Sequence, residues 1–127
     1  PSPSARCVLL RHDLPDGSWH YDLMIQRPAE NPALPGHDRP LVTFRVWTRL
    51  DLDAAADFEA TPRNDHRPHY LDYQGPLSDN RGSVRRLARG LVLAFAAAPE
   101  TLDLSLDWGS ARADGSPAAS HRQARLT

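Results

Sequence analysis

The chain has 127 residues, a formal net charge of −1, and a composition that is 40% hydrophobic and 24% charged. These values are typical of one globular domain with a modest core, so we predict a single domain over residues 1–127. They argue against a globally basic nucleic-acid binder, and no apolar run reaches the roughly 20 residues that a membrane-spanning helix needs.

Short apolar or alternating runs, bounded by Pro, Gly and polar residues, predict β-strands along most of the chain. The predicted strands are Cys7–Leu10, Trp19–Gln26, Leu41–Trp47, Ser83–Leu87, Leu91–Ala96, Leu102–Trp108 and an edge strand at Arg122–Thr127. Turns or loops are predicted at Asp13–Ser18, Arg27–Arg39, Thr61–Pro68, Arg89-Gly90 and beyond Gly109. Asp53 is a residue type that caps helices, so Asp53–Ala60 predicts a short helix. Many short strands with few helices predict an all-β sandwich or barrel.

Individual large or reactive side chains have simple interpretations at this level. The aromatic residues Phe44, Trp47, Phe95 and Trp108 fall in or beside predicted strands, so we predict that they belong to the core. Cys7 is the single cysteine, which leaves no disulfide within the sequence and no cysteine metal cluster. We therefore expect a reduced, cytoplasmic setting and no contact with a membrane.

Three potential metal ligands fall on two neighbouring predicted strands. Period two places His20 and Asp22 on one face of their strand, and the turn after His12 can bring that histidine alongside them. Two imidazoles and one carboxylate suit Mn²⁺, Zn²⁺ or Fe²⁺ and leave positions open for substrate. The alternative is that these histidines are hydrogen-bonded structural groups near strand ends, which is the commoner role.

A second polar cluster, His66–Tyr73, is followed by the arginine-rich segment Asn80–Arg86. Histidine and arginine beside a metal are the groups that phosphoryl transfer or hydrolysis requires, because cationic donors hold the developing charge. The alternative for the arginines at 81, 85, 86 and 89 is a solvated strand-and-turn surface, since alternation sends neighbours to opposite faces.

Four motifs occur in order over roughly residues 5 to 95: His12-Asp13, His20-Tyr21-Asp22, His69-Tyr70-Leu71-Asp72-Tyr73 and Gly82-Ser83-Val84. In these motifs the chain resembles the 3'-phosphoesterase domain of bacterial DNA ligase D, which also occurs as a stand-alone protein. The resemblance implies a small single-domain β-barrel with a Mn²⁺ site in its concave side. Its implied metal ligands are His12, His20 and Asp22, its phosphate-contacting histidine is His69 (or His66 if the register is shifted), and its active-site tyrosine is Tyr73.

The resemblance implies a hydrolase that removes a 3'-terminal ribonucleoside and then a 3'-phosphate from a primer strand during DNA repair by end-joining. The implied partners are DNA or RNA–DNA 3' ends, together with a DNA ligase or polymerase on another chain. The chain departs from the family at Leu10, where the family has Gln, and at Met24, where it has Arg. The arginines that remain as candidate phosphate or nucleic-acid contacts are Arg11, Arg45, Arg81 and Arg85.

Three hypotheses follow from these features. The first is a Mn²⁺-dependent 3'-phosphoesterase, which the intact His/His/Asp set and His69 favour. The second is a non-catalytic module of the same fold that recognises nucleic-acid ends or a repair partner, which Leu10 and Met24 favour. The third is a β-domain without a metal, in which the histidines and Asp22 are separated or paired with core groups.

Overall fold

A computed structural model describes residues 5–26, 40–52, 57–108 and 119–126. The described chain contains β1 Ala5–Asp13, β2 Trp19–Ile25, β3 Leu41–Val46, β4 Asp57–His66, a 3-10 helix Pro68–Leu71, β5 Gly75–Pro76, β6 Ser83–Ala97, β7 Thr101–Asp107 and β8 Ala119–Leu126. The prediction of an all-β domain is confirmed. None of the helical segments in the described ranges has the length and apolar character needed to cross a membrane.

Seven of the strands close into a ring in the order β1-β2-β3-β4-β8-β7-β6, and β5 pairs with the outer edge of β6. The ring closes because the long β6 pairs with β1 as well as with β7. Neighbouring strands are antiparallel except for β4 and β8, which are parallel. Closure satisfies the backbone hydrogen bonds that open sheet edges would expose, and it confirms the predicted β-barrel.

The interior of the ring holds the main hydrophobic core. Alternate residues of β1, β2, β3 and β7 point inward, as the pleat of a strand requires. The largest fully buried side chains of this core are Leu9, Leu23, Ile25, Leu50, Leu102, Leu104 and Leu106. Phe44 is buried with them, and Phe95 and Trp108 pack against them, as predicted.

A second, smaller hydrophobic cluster lies on the outer face of β1 and β2. Its buried members are Val8, Leu10, Met24, Leu41, Tyr70, Leu71 and Val84. Tyr70 and Leu71 come from the 3-10 helix, so this helix covers the outer face of the barrel. A hydrogen bond of 2.8 Å from Arg6 Nη2 to Asp72 Oδ1 fastens the end of the helix to β1.

The region from Asp53 to Pro68 differs from the prediction. Residues 53–56 of the predicted short helix lie outside the described ranges, but the helix prediction is wrong from Asp57 onward, where β4 begins. Phe58 and Ala60 are buried and Glu59 is exposed, so period-two burial outweighs the helix propensity of the alanines. The segment predicted to be irregular after Thr61 continues β4 as far as His66.

The second half of the chain also differs in its strands. The turn predicted at Arg89-Gly90 is wrong, because β6 runs unbroken from Ser83 to Ala97 with a bulge at residue 87. Gly90 serves close packing: a Cβ there would lie 2.5 Å from the Asp107 carbonyl oxygen of β7. The strand predicted at the C-terminus is present as β8, but it is not an edge strand, because it is hydrogen-bonded to β4 on one side and to β7 on the other. The predicted loops at Arg27–Arg39 and beyond Gly109 lie outside the described residues, apart from the β8 residues.

The prediction that Trp47 belongs to the core is wrong. Its side chain is 58% exposed. The residue follows the buried Val46 at the end of β3, so alternation turns it away from the interior of the ring.

Candidate metal centre

The β1–β2 hairpin brings together the three residues that the sequence pattern singled out. In its register His12 lies opposite His20, and Leu10 lies opposite Asp22. Directly opposed side chains share a face, with Cβ atoms about 5 Å apart. Leu9 and Leu23, which point the other way, belong to the interior core. The three polar side chains therefore lie on the outer face of the ring.

The side chains of the three residues converge. His20 Nε2 lies 3.2 Å from Asp22 Oδ1, and His12 Nδ1 lies 3.8 Å from Asp22 Oδ2. One ligand atom from each residue falls within 4.8 Å of the others, so the group could hold a metal ion. Bonds of about 2.0–2.2 Å to one metal would leave its ligand atoms about 3–4 Å apart, so a small closure would suffice. His20 and Asp22 are buried and His12 is half-buried.

The tautomer of His12 is set by a backbone carbonyl. His12 Nε2 lies 2.7 Å from the Arg81 carbonyl oxygen. Because a carbonyl can only accept a hydrogen bond, Nε2 carries the hydrogen and the neutral ring has its lone pair on Nδ1. That lone pair faces the Asp22 carboxylate across 3.8 Å. In this neutral form two acceptors face each other, and a cation between them would remove their repulsion. The donor set and its outer hydrogen bond thus fit a divalent metal.

A tight turn delivers the Arg81 carbonyl to His12. Asp79 and Asn80 have φ values of 59° and 55°, and the Leu77 amide donates to the Gly82 carbonyl over 2.8 Å. Gly82 has a φ of 92°, and a Cβ there would lie 1.9 Å from the Asp13 carbonyl oxygen. Glycine therefore permits both the backbone conformation and the close approach of this turn to β1.

Strand β3 borders the centre on its other side. Its register places Arg45 directly opposite Asp22. The Arg45 Nε atom is buried and has no hydrogen-bond partner among the described residues. At the end of the strand, the Trp47 ring meets the His20 ring edge-on, with centroids 6.4 Å apart.

His66, His69 and Tyr73 form a separate cluster around the buried Tyr70. Ring centroids lie 5.6 Å apart for His66 and Tyr70, 4.1 Å for His69 and Tyr70, and 5.5 Å for His69 and Tyr73. Tyr70 belongs to the same outer hydrophobic cluster as Leu10. The aromatic cluster therefore adjoins the outer hydrophobic cluster, in which Leu10 lies opposite Asp22.

Hydrogen bonds define the chemical state of two of these residues. The Thr43 hydroxyl donates to the Leu41 carbonyl over 3.1 Å, so its oxygen accepts from His66 Nδ1 over 3.0 Å. His66 then has its lone pair on Nε2. The Tyr73 hydroxyl donates to the Pro76 carbonyl.

The pKa of the His69 imidazole lies below its ordinary value. Desolvation is the larger cause, and the positive charge of Arg67 lowers the pKa further. His69 is therefore neutral at neutral pH and can both donate and accept a hydrogen bond.

The four candidate arginines occupy different places. Arg45 is on the face of the metal ligands by register. Arg81 contributes its backbone carbonyl, while its guanidinium bonds Ser78. Arg11 lies over the Trp19 ring at 4.5 Å and pairs in register with Arg85, on the opposite face.

Two features of the centre were missed from the sequence. The Arg81 carbonyl contributes no side-chain signal, although the Asp79–Gly82 turn marks a backbone of special conformation. The outward direction of Trp47 follows from its alternation with Val46, which is a signal that the sequence did contain. Neither the protein-family models nor the curated proteins include a match to this chain.

Proposed function

We propose that this protein is a divalent-metal-dependent phosphoesterase that trims 3'-phosphate or 3'-ribonucleotide ends of DNA. The observation that carries the proposal is the convergence of His12, His20 and Asp22, with the lone pair of His12 Nδ1 held toward the carboxylate. A metal with two histidines and one carboxylate retains open positions for a substrate. Mn²⁺ is the proposed ion, and Zn²⁺ or another divalent ion suits the same ligands.

The metal would supply a Lewis acid that polarises a phosphoryl oxygen. The chain's own residues provide the remaining functions. The Arg81 carbonyl orients His12, and Arg45, which lies opposite Asp22 in the register, would hold a phosphate oxygen with its guanidinium. His69, neutral at neutral pH, offers an N–H to a phosphate oxygen without adding a charge.

The choice of a nucleic-acid 3' end as substrate rests on the resemblance to the DNA ligase D phosphoesterase domain. The ordered motifs from His12 to Val84 support it. Under this proposal the protein acts in DNA repair on DNA or RNA–DNA ends, alongside a DNA ligase or polymerase on another chain.

The direct test is a cleavage assay on a 5'-labelled primer–template that carries a 3'-phosphate or a 3'-terminal ribonucleotide. The full chain is assayed with Mn²⁺ and with EDTA, beside His20→Ala and Asp22→Asn. Asp16→Asn is the matched carboxylate control, because Asp16 lies exposed in the turn of the same hairpin. We expect metal-dependent trimming that both centre variants lose and the control retains. Trimming that persists in EDTA would contradict the proposal.

A second candidate function is a binding module of the same fold that recognises nucleic-acid ends without cleaving them. Leu10 and Met24 favour it, because both are fully buried in the outer apolar cluster at positions where the resemblance expects polar phosphate contacts. Mn²⁺ binding that depends on Asp22, without any trimming, would select this function.

A further inference from the structure

We infer that β3 carries a nucleotide subsite beside the metal centre, in which Arg45 binds a phosphate and the exposed face of Trp47 stacks on a nucleobase. The inference rests on the proposed function for the identity of the substrate. Its binding test does not depend on cleavage.

The position of Arg45 indicates an anionic ligand. The residue lies opposite Asp22, and Asp22 is one of the converging side chains of the centre. The Arg45 Nε atom is removed from solvent but has no hydrogen-bond partner within the described chain. A buried donor without a partner is unfavourable, and a phosphate oxygen is an acceptor that matches a guanidinium in charge and geometry.

The position of Trp47 indicates a flat, apolar ligand group next to that anion. Two residues beyond Arg45, it follows the same alternation, and its edge-on contact with His20 places it beside the centre. More than half of the side chain is exposed, which is unusual for the largest apolar side chain. An aromatic face beside a cation is the arrangement that single-stranded nucleic-acid ends use, because any base can stack on it.

Trp19 provides the contrast that makes Trp47 distinctive. It is also exposed, at 41%, but the Arg11 guanidinium covers its ring at 4.5 Å and the Tyr21 ring lies 5.1 Å away. Trp19 therefore already has a cation–π partner within its own hairpin. It serves as the matched control for Trp47.

The subsite predicts a preference for a terminal nucleotide that bears a base. The terminal base is splayed from the duplex end onto Trp47 while its phosphate meets Arg45. Recognition through stacking is tolerant of base identity, so the preference is for a base over none and not for one base over another.

The test measures binding to two primer–templates that both end in a 3'-phosphate, one with a terminal adenine and one with a terminal abasic residue. The full chain is titrated with each primer–template, and the intrinsic tryptophan fluorescence gives the dissociation constant. EDTA is present so that the ends stay intact. We expect the adenine end to quench fluorescence and to bind about tenfold more tightly than the abasic end. Trp47→Leu should lose the quenching and bind both ends equally, while Trp19→Leu keeps the tenfold preference.

Arg45 is tested with the same primer–template ending in either a 3'-phosphate or a 3'-hydroxyl. Arg45→Gln should remove the preference for the phosphate but keep that for adenine over abasic. The control Arg125→Gln, an exposed position on β8, should keep both preferences. Circular dichroism confirms that each variant is folded.

The outcomes separate the subsite from the phosphoesterase. Equal binding of adenine and abasic ends by the wild type would overturn the stacking role. The same conclusion would follow if Trp47→Leu and Trp19→Leu lost the preference for adenine equally. Trp47 would then belong to a surface for another kind of partner. An unchanged phosphate preference in Arg45→Gln would overturn the role of Arg45. Base-dependent binding without trimming would support the subsite and contradict the proposed enzyme.

Discussion

His12 Nε2 lies 2.7 Å from the Arg81 carbonyl oxygen, and this contact joins the first hairpin of the barrel to the turn that precedes β6. The two residues are 69 positions apart in the sequence. Because the contact fixes which nitrogen of His12 is free, it connects a backbone turn to the chemistry of the metal centre.

Gly82→Ala is expected to weaken both metal binding and the fold. A Cβ at this position would lie 1.9 Å from the Asp13 carbonyl oxygen, so the turn must move and the Arg81 carbonyl moves with it. We expect Mn²⁺ affinity, measured by calorimetry, to fall by about 10- to 100-fold. The free energy of unfolding should fall by about 1–3 kcal/mol.

Gly17→Ala is the control for this prediction. Gly17 has a similar φ of 89°, but an added Cβ would meet nothing within 4 Å. It should show the backbone strain of about 1–2 kcal/mol with unchanged Mn²⁺ affinity. Equal affinities in the two alanine variants would show that the Arg81 carbonyl does not position His12.

Mn²⁺ is expected to stabilise the folded protein through the centre. An ion that binds only the folded state adds about 2.7 kcal/mol to the free energy of unfolding when its free concentration is about 100 times its dissociation constant. The midpoint temperature of thermal unfolding should therefore rise when Mn²⁺ is added and return to its original value when EDTA removes the ion. His12→Ala and Asp22→Asn should abolish the shift, and Asp16→Asn should retain it. A shift that survives in Asp22→Asn would place the ion elsewhere.

Restoring the polar residues that the resemblance expects should destabilise this chain. Leu10 and Met24 are fully buried in the outer hydrophobic cluster, which the 3-10 helix covers. Leu10→Gln or Met24→Arg would bury a polar or charged group without a designed partner, at about 2–4 kcal/mol of the free energy of unfolding. Urea unfolding measures this loss. A stable Met24→Arg variant with faster trimming would show that the apolar cluster opens to substrate.

His69 should make stability depend on pH below neutrality. Its pKa is lowered in the folded protein, chiefly by desolvation and secondly by Arg67, so the unfolded chain binds the proton more tightly. Above the ordinary pKa of about 6.5 the ring is neutral in both states and has no effect. As pH falls below that value the unfolded state gains the proton first, and stability is lost.

NMR titration of the His69 ring measures this pKa directly. Arg67→Gln should raise the pKa only in part, because the charge of Arg67 is the smaller cause. His69→Gln should remove the corresponding part of the stability loss between pH 7.5 and pH 5 in urea unfolding. A His69 that titrates at or above its ordinary pKa would contradict the desolvation of its ring.

Local patterns predicted the elements whose two faces differ clearly. Alternation in Trp19–Ile25 placed His20 and Asp22 on one face, and the Pro and Gly of the preceding turn predicted the hairpin that adds His12. The same reasoning failed at Phe58–Ala60, because a short alanine-rich segment fits a helix equally well until its burial is known.

By itself, the sequence determined that this is an all-β domain and which three side chains meet on the first hairpin, because period two and turn chemistry are properties of adjacent residues. Only the tertiary structure decided that β8 lies between β4 and β7 in the ring, that Leu10 and Met24 lie under the 3-10 helix, and that a carbonyl reaches His12. These contacts join residues far apart in the chain. Their selection depends on burying apolar surface and satisfying polar groups over the whole molecule, which no local pattern records.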